Sequence, residues 1–349
     1  MTVQSKMSFW WYRLSTVVRS FKTLYSLPQE KIDAFMNSYE IYDHDWANEE
    51  ELVAKMGKDY YTKVQKKLVD YYCVLNHLCA IGQVEKMYIP PAMDLSKSII
   101  GNQVLFERRM MRDLGVAQGH KVLDIGCGRG RVVNHVASTT GAHVTGMNID
   151  DNQLESAKRY AMGTGLDLQC HFEKADLNAP LPFPDNTFDA VYEIQVVFSL
   201  AKDPVKVFKE IHRVLKPGGK LACLEWVRLG AYDSKNAHHM DLMRRIKPLI
   251  GAIGTLSIDE VTSFLSKAGF SVVINENASI GGLQAPLIEN ADKFFTRITR
   301  LLKGLVRWRV LPRHFETLFD RLTKDGEAFI EADRLGLVTT SHYVVAQKK

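Results

Sequence analysis

One stretch limits what this chain can fold into more than any other. Residues 122–130 read Val122-Leu123-Asp124-Ile125-Gly126-Cys127-Gly128-Arg129-Gly130. An apolar strand carries one acid, runs into glycine at alternate positions, and then gives way to a helical pattern. Glycine lets a backbone turn tightly and approach a ligand closely, and strand, glycine loop and helix open a βαβ unit. A dinucleotide fingerprint would need G-x-G-x-x-G, but Arg131 follows the last glycine, where helix packing wants a small residue. The lysine of a phosphate-binding loop is also missing. The spacing is instead D-x-G-x-G-x-G, with an acid leading the glycines.

The rest of the chain agrees with a βαβ reading. Short β-rich runs at 121–125, 143–147, 168–172, 188–194, 220–226 and 271–274 alternate with amphipathic segments. Such alternation implies a doubly wound, mainly parallel sheet. Residues 278–335 are mostly helical in pattern, and a last strand is expected at 342–347. Residues 1–100 also read as helical. Lys216-Pro217-Gly218-Gly219 is a turn by its own chemistry. The length of 349 residues allows one large domain or two moderate ones. The expected division is a helical N-terminal region at 1–100, a core at 101–235 and a C-terminal region at 236–349 that completes the sheet.

Composition excludes several classes. Hydrophobic residues make up 46% and charged residues 24%, a globular balance. The net charge of +5 is too small to argue for nucleic acid, and no such partner is expected. No apolar run approaches the ~18–20 residues of a transmembrane helix. The N-terminal apolar segment is broken by Arg13 and Arg19, unlike a signal peptide. Five cysteines without a C-x-x-C pair fit a reducing compartment, with no disulfide framework and no metal site.

The glycine loop resembles motif I of the S-adenosylmethionine-dependent methyltransferases, and further motifs follow in the family's order. Asn148 closes the second strand where many members bear an acid for the ribose hydroxyls. Asp176 stands where the family holds the adenine amino group. The runs 181–191 (LPFPDNTFDAV) and 214–219 (VLKPGG) resemble the entries to the fourth and fifth strands. The resemblance implies a Rossmann-like class I fold with a helical N-terminal layer and a helical insertion before the last strand. It implies S-adenosylmethionine as cofactor. It places Asp124, Gly126, Cys127, Gly128, Gly130, Asn148, Ile149, Gln153, Asp176, Leu177, Ile194 and Gln195 at that cofactor.

Within that class, the run Glu225-Trp226 followed by Tyr232-Asp233, Asn236 and His239 is similar to the sterol methyltransferase family, which carries EW and then YDxxNxxH. Ala268-Gly269-Phe270 fits that family's sixth-strand entry. The resemblance covers about residues 80–347. It implies a sterol acceptor, with Phe198, Ser199, Glu225 and Trp226 near it. Two departures stand out. Where side-chain carbon-24 enzymes carry a YEWGWG-like aromatic box, this chain reads Gln83-Val84-Glu85-Lys86-Met87-Tyr88-Ile89-Pro90-Pro91. Where they carry an IEATCHA-like run, it reads Ile194-Gln195-Val196-Val197-Phe198-Ser199-Leu200. Alkylating an alkene makes a cation that needs aromatic faces and a base, and both are thinned here.

The variant resembles the nematode-type branch, which methylates carbon 4 of the sterol nucleus. Beside a 3-keto group that reaction passes through an enolate, which wants a base near the carbon and donors near the oxygen. On this resemblance Glu85 or His239 is the expected base and Tyr88 or Tyr232 the donor. The alternatives are carbon-24 methylation, a phosphobase or fatty-acyl acceptor, and a non-catalytic lipid-binding relative. A sterol comes from a bilayer, and two segments could meet one. Apolar residues recur at helical spacing in 9–25, and seven positive charges interleave with apolar residues in 292–313. The expected location is the cytoplasm, peripherally on the endoplasmic reticulum or another membrane. A homo-oligomer is left open.

Overall fold

The computed structural model describes residues 3–43, 49–81 and 85–349, apart from the side chains of 3–13, 43, 49–51, 61 and 199. Four helices come first: α1 (Val3–Tyr25), α2 (Gln29–Ser38), α3 (Glu49–Met56) and α4 (Tyr60–Ile81). Helix α5 (Ile99–Leu114) leads into β1 (Lys121–Ile125), α6 (Arg131–Thr140), β2 (His143–Asn148), α7 (Asp151–Thr164) and β3 (Cys170–Lys174). Then come β4 (Phe188–Ile194), α8 (Val197–Leu200), α9 (Pro204–Val214), β5 (Leu215–Arg228), α10 (Ala237–Ile250), β6 (Leu256–Ser257), α11 (Ile258–Lys267) and β7 (Phe270–Asn277). Helices α12 (Ala285–Arg307), α13 (His314–Thr323) and α14 (Gly326–Arg334) precede β8 (Val338–Lys348).

The strands form one sheet in the order β3-β2-β1-β4-β5-β8-β7, with short β6 beside β5. All neighbours are parallel except β8, which runs antiparallel to β5 and β7. Strand order reverses between β1 and β4, and ligands of such sheets bind at the carboxyl ends flanking that point. Helices α5, α6 and α7 cover one face, burying Phe106, Val136 and Leu154. Helices α8, α9 and α11 cover the other, burying Phe198, Phe208 and Leu265.

Local chemistry sets the ends of the helices. Asp150 caps α7 by accepting from the Asn152 amide at 2.9 Å. Asp203 precedes Pro204 and caps α9, while Ser257 and Glu260 form a reciprocal capping box on α11. A separate cluster joins Leu24, Phe35 and Tyr71 from the first helices to Leu302, Phe315 and Leu318 of α12 and α13. The N-terminal helices and the helices preceding β8 thus build a common helical layer beside the sheet.

Two sequence expectations shift. The third strand runs over Cys170–Lys174, not 168–172, because residues up to 169 turn and the Cys170 amide bonds back to the Leu166 carbonyl. Leu168, which suggested a strand, is 82% exposed. Residues 216–219, read as a turn, are absorbed into β5 as a bulge, where pairing with β4 jumps from Phe188–Leu215 to Ala190–Lys220.

Candidate active site

Two cavities open beside the switch point. The first is floored by the loop after β1. Gly126 and Gly128 line it, at φ of +74° and +53°. A Cβ on Gly126 would lie 2.6 Å from the Val196 side chain, so only glycine fits. Gly130 serves packing: a Cβ there would meet Ala157 at 2.7 Å and Phe172 at 2.9 Å. The amides of Gly126 and Cys127 both donate to the Met147 carbonyl at 3.0 Å, pinning the loop to β2.

Asn148, Ile149, Gln153, Asp176, Leu177, Ile194 and Gln195 line this cavity. Asp124, Cys127 and Gly130 do not. Asp124 lies behind the loop, buried, accepting from the Tyr192 hydroxyl at 3.0 Å. Burial pushes its carboxyl up to about 8. Tyr192 is its register partner on β4, so the carboxyl is engaged on one face of the sheet and not at the cavity.

Sequence reasoning missed Asp150, which lines the same cavity while its carboxylate accepts from the Asn152 amide and the Gln153 side chain. The run Asn148-Ile149-Asp150 carried that signal, since an acid capping the helix after β2 must sit at the strand's carboxyl end. Helix α4 was missed as well. Its Val64, Gln65, Leu68, Val69 and Tyr72 form the far wall, and the Gln65 amide donates to Asp176 Oδ2 at 2.9 Å.

The second cavity is apolar and ringed by the helical layer. Its lining includes Tyr39, Tyr71, Tyr72, Leu75, Met87, Tyr88, Phe295 and Phe329. Tyr72, Met87 and Gln195 line both cavities and so mark their junction. Gln195 is held at φ +58° with its backbone amide on the Leu224 carbonyl at 2.8 Å. Its side-chain amide donates to the carbonyls of Ile89 at 3.0 Å and Thr340 at 3.1 Å and accepts from the Ile89 amide at 3.3 Å. Burial raises the Tyr72 hydroxyl to about 12, so it stays protonated and can donate.

The residues expected to touch the acceptor separate in space. Tyr88 lines the apolar cavity, but its hydroxyl is committed to Glu107 at 2.6 Å. Burial and that carboxylate both raise the phenol. Burial alone would raise Glu107, yet the His135 hydrogen bond and the Lys86 charge hold it low. Glu85 lies outside both cavities, bonded by Arg131 Nε at 2.6 Å. That ion pair ties it to the start of α6.

Tyr232 and His239 also stand apart. Asn236 caps α10 by accepting from the amides of His238 and His239, and His239 Nδ1 accepts from the Asp233 amide at 3.1 Å. The Tyr-Asp-Asn-His spacing is here the start of a surface helix, and neither Tyr232 nor His239 lines either of these two cavities.

Glu225, Trp226 and Phe198 are buried and line neither cavity. Glu225 accepts from the amides of Phe198 at 3.1 Å and Trp226 at 3.3 Å. Glu193 accepts from those of Val196 at 3.1 Å and Val197 at 3.3 Å. Burial raises both carboxyls, and the charge of Glu193 raises Glu225 further. Together they fasten the loop that presents Gln195. Trp226 Nε1 donates to the Gly254 carbonyl at 3.2 Å, and the Phe198 ring packs 5.1 Å from Phe208. The Ser199 side chain falls outside the described residues.

A glycine cradle at the switch point, with polar residues after β2 and β3 and an adjoining apolar chamber, defines a class I S-adenosylmethionine-dependent methyltransferase. Residues 123–223 match the family model described as a methyltransferase domain. The fold is shared with the [4+2]-cyclase SpnF at a TM-score of 0.62 and 20% identity, covering 81% of this chain and 96% of that one. The cyclopropane synthase MmaA2 of Mycobacterium tuberculosis also has a TM-score of 0.62, at 15% identity over 75% of this chain and 89% of that one.

Sequence relatives narrow the class. The chain is 37% identical to the sterol 24-C-methyltransferase erg-4 of Neurospora crassa over 262 residues, 69% of each protein. It is 30% identical to the cycloartenol-C-24-methyltransferase of Arabidopsis thaliana over 256 residues, 69% of this chain and 75% of the relative. The chain belongs to the sterol methyltransferase family.

Proposed function

We propose that this protein methylates carbon 4 of a 3-keto sterol, with S-adenosylmethionine as methyl donor. When bound, the cofactor supplies an electrophilic methyl group. The residues present suit it: a glycine floor that a side chain would fill, and Asn148, Asp150, Gln153 and Asp176 as hydrogen-bonding groups along one cavity. The apolar chamber built by both ends of the chain takes the sterol. Holding the two partners in line and excluding water supplies much of the rate.

The observation that carries the ring position is the chemistry at the junction. Its polar groups are Gln195, whose side-chain amide is spent on Ile89 and Thr340 and so acts as a fixed neutral wall, and Tyr72, a phenol that burial keeps protonated and that supplies the donor. Neutral donors stabilise oxygen that gains negative charge. Tyr72 hydrogen-bonds the acceptor's 3-oxygen in this reading, and Gln195 orients the ring beneath it. Among the described lining residues of the apolar cavity the carboxylate is Asp292 on α12. Its carboxyl is raised by burial and by Glu327, and in this reading it is the group that takes the acceptor's proton.

A second reading, side-chain methylation at carbon 24, is favoured by the names of the relatives and by the tyrosine faces around the chamber. One experiment separates them. Purified protein is incubated with labelled S-adenosylmethionine and sterols with a 3-keto group or an unsaturated side chain, and the products are located by mass spectrometry. Label on the ring of a saturated-side-chain 3-keto sterol is the expected result. Label confined to the side chain overturns it in favour of carbon 24.

A further inference from the structure

Helix α12 has two unlike faces. Ile288, Asp292 and Phe295 line the apolar cavity. Phe294, Leu301 and Trp308 recur every seventh residue, which stacks them on one stripe, and they are 44%, 65% and 78% exposed. Lys293, Arg297, Arg300 and Arg307 are exposed beside that stripe, and Arg309 and Val310 continue the exposed surface past its end. Lys303 is instead bridged to Asp320 on α13. Among the described residues no carboxylate bridges the five exposed cations.

A stripe of large apolar side chains kept in water is costly, and a cluster of like charges beside it repels itself, so a surface of this kind is better matched to a partner than to solvent. A bilayer bearing anionic headgroups satisfies both: acyl chains take the apolar stripe and headgroups take the cations. We propose that the outward face of α12 docks this protein on an anionic lipid bilayer. The same helix then stands between the membrane and the acceptor chamber, so a lipid-dissolved acceptor reaches the chamber past this wall. That last link rests on the proposed function, whereas the measurement below reads docking alone, without acceptor or turnover.

The test is co-sedimentation of the full chain with phosphatidylcholine vesicles and with vesicles containing about one third phosphatidylserine, at about 0.1 M and about 1 M salt. Binding to the anionic vesicles is expected, falling at least tenfold at high salt. The triple variant Arg297→Gln, Arg300→Gln, Arg307→Gln should lose about 100-fold in partitioning. Leu301→Gln with Trp308→Gln should lose at least tenfold. Unchanged S-adenosylhomocysteine affinity and melting temperature establish that these variants are folded, and the single exposed change Trp308→Gln serves if a multiple variant is not. The proposal is overturned by absence of binding to anionic vesicles or by equal binding of wild type and both variants. It is also overturned if light scattering shows a dimer that the Leu301 and Trp308 changes dissolve while vesicles are ignored.

Discussion

The two cavities are built by opposite means. The cofactor cleft is made largely of backbone, where strand ends, a glycine loop and helix caps converge at a point set by sheet topology. The apolar chamber proposed for the acceptor is made of side chains from helices far apart in sequence, with Tyr71 on α4 and Phe295 on α12 across one space. A cleft of the first kind tolerates little change at a few positions. A chamber of the second kind can alter its chemistry one side chain at a time while the fold persists.

That contrast can be broken most decisively at Gly126. A Gly126→Val chain must place its side chain within 2.6 Å of Val196 at a positive φ. Calorimetric titration with S-adenosylhomocysteine should show at least a 100-fold loss of affinity. Retained affinity would falsify the assignment of the cleft. In the chamber, Tyr72→Phe removes only a hydroxyl. Turnover of a 3-keto sterol should fall about 100-fold, with cofactor affinity changed less than threefold. A loss confined to KM would make Tyr72 a packing residue.

Asp124 sharpens the contrast through pH. Its folded pKa of about 8 lies above the ~3.9 of an unfolded aspartate. The folded state therefore holds the proton more tightly. This contribution is complete below about pH 4 and is lost as pH rises through about 8. Urea titrations should find Asp124→Asn gaining on the wild type between pH 5 and pH 8, by about 2 kcal/mol or more. Parallel pH profiles would show that the carboxyl is not held protonated. Glu85→Gln gives the smallest effect: it weakens the Arg131 pair and should cost about 1–2 kcal/mol in thermal unfolding. Turnover per folded molecule should stay within about threefold, and a collapse of turnover at normal stability would return Glu85 to the role of base.

How much of this was legible beforehand differs between the cavities for the same reason. The Asp124–Gly130 loop, Asn148 and Asp176 are readable because each lies within a few residues of a strand end, where local patterning carries the signal. Two of the loop's residues stand outside the cavity lining: Asp124 is bonded by Tyr192 of β4 and Gly130 lies against Ala157 and Phe172, contacts that no local pattern encodes. The motif residues Glu225 and Trp226, expected near the acceptor, and Tyr232 and His239, expected as donor and base, line neither cavity; Glu225 holds a loop and His239 stands at the start of α10, and a spacing pattern does not distinguish a capping network from a binding one.

The amino-acid sequence alone determined the alternating architecture, the glycine cradle and the motifs that the family match extends, since these follow from short-range periodicity and from backbone angles that few residues adopt. Only the tertiary structure decided that Tyr72, Met87 and Gln195 meet, that α4 walls the cofactor cleft, and that α12 turns one face to the chamber and another to solvent. Those juxtapositions depend on how distant apolar surfaces bury one another, and no local pattern encodes which distant partner each will find.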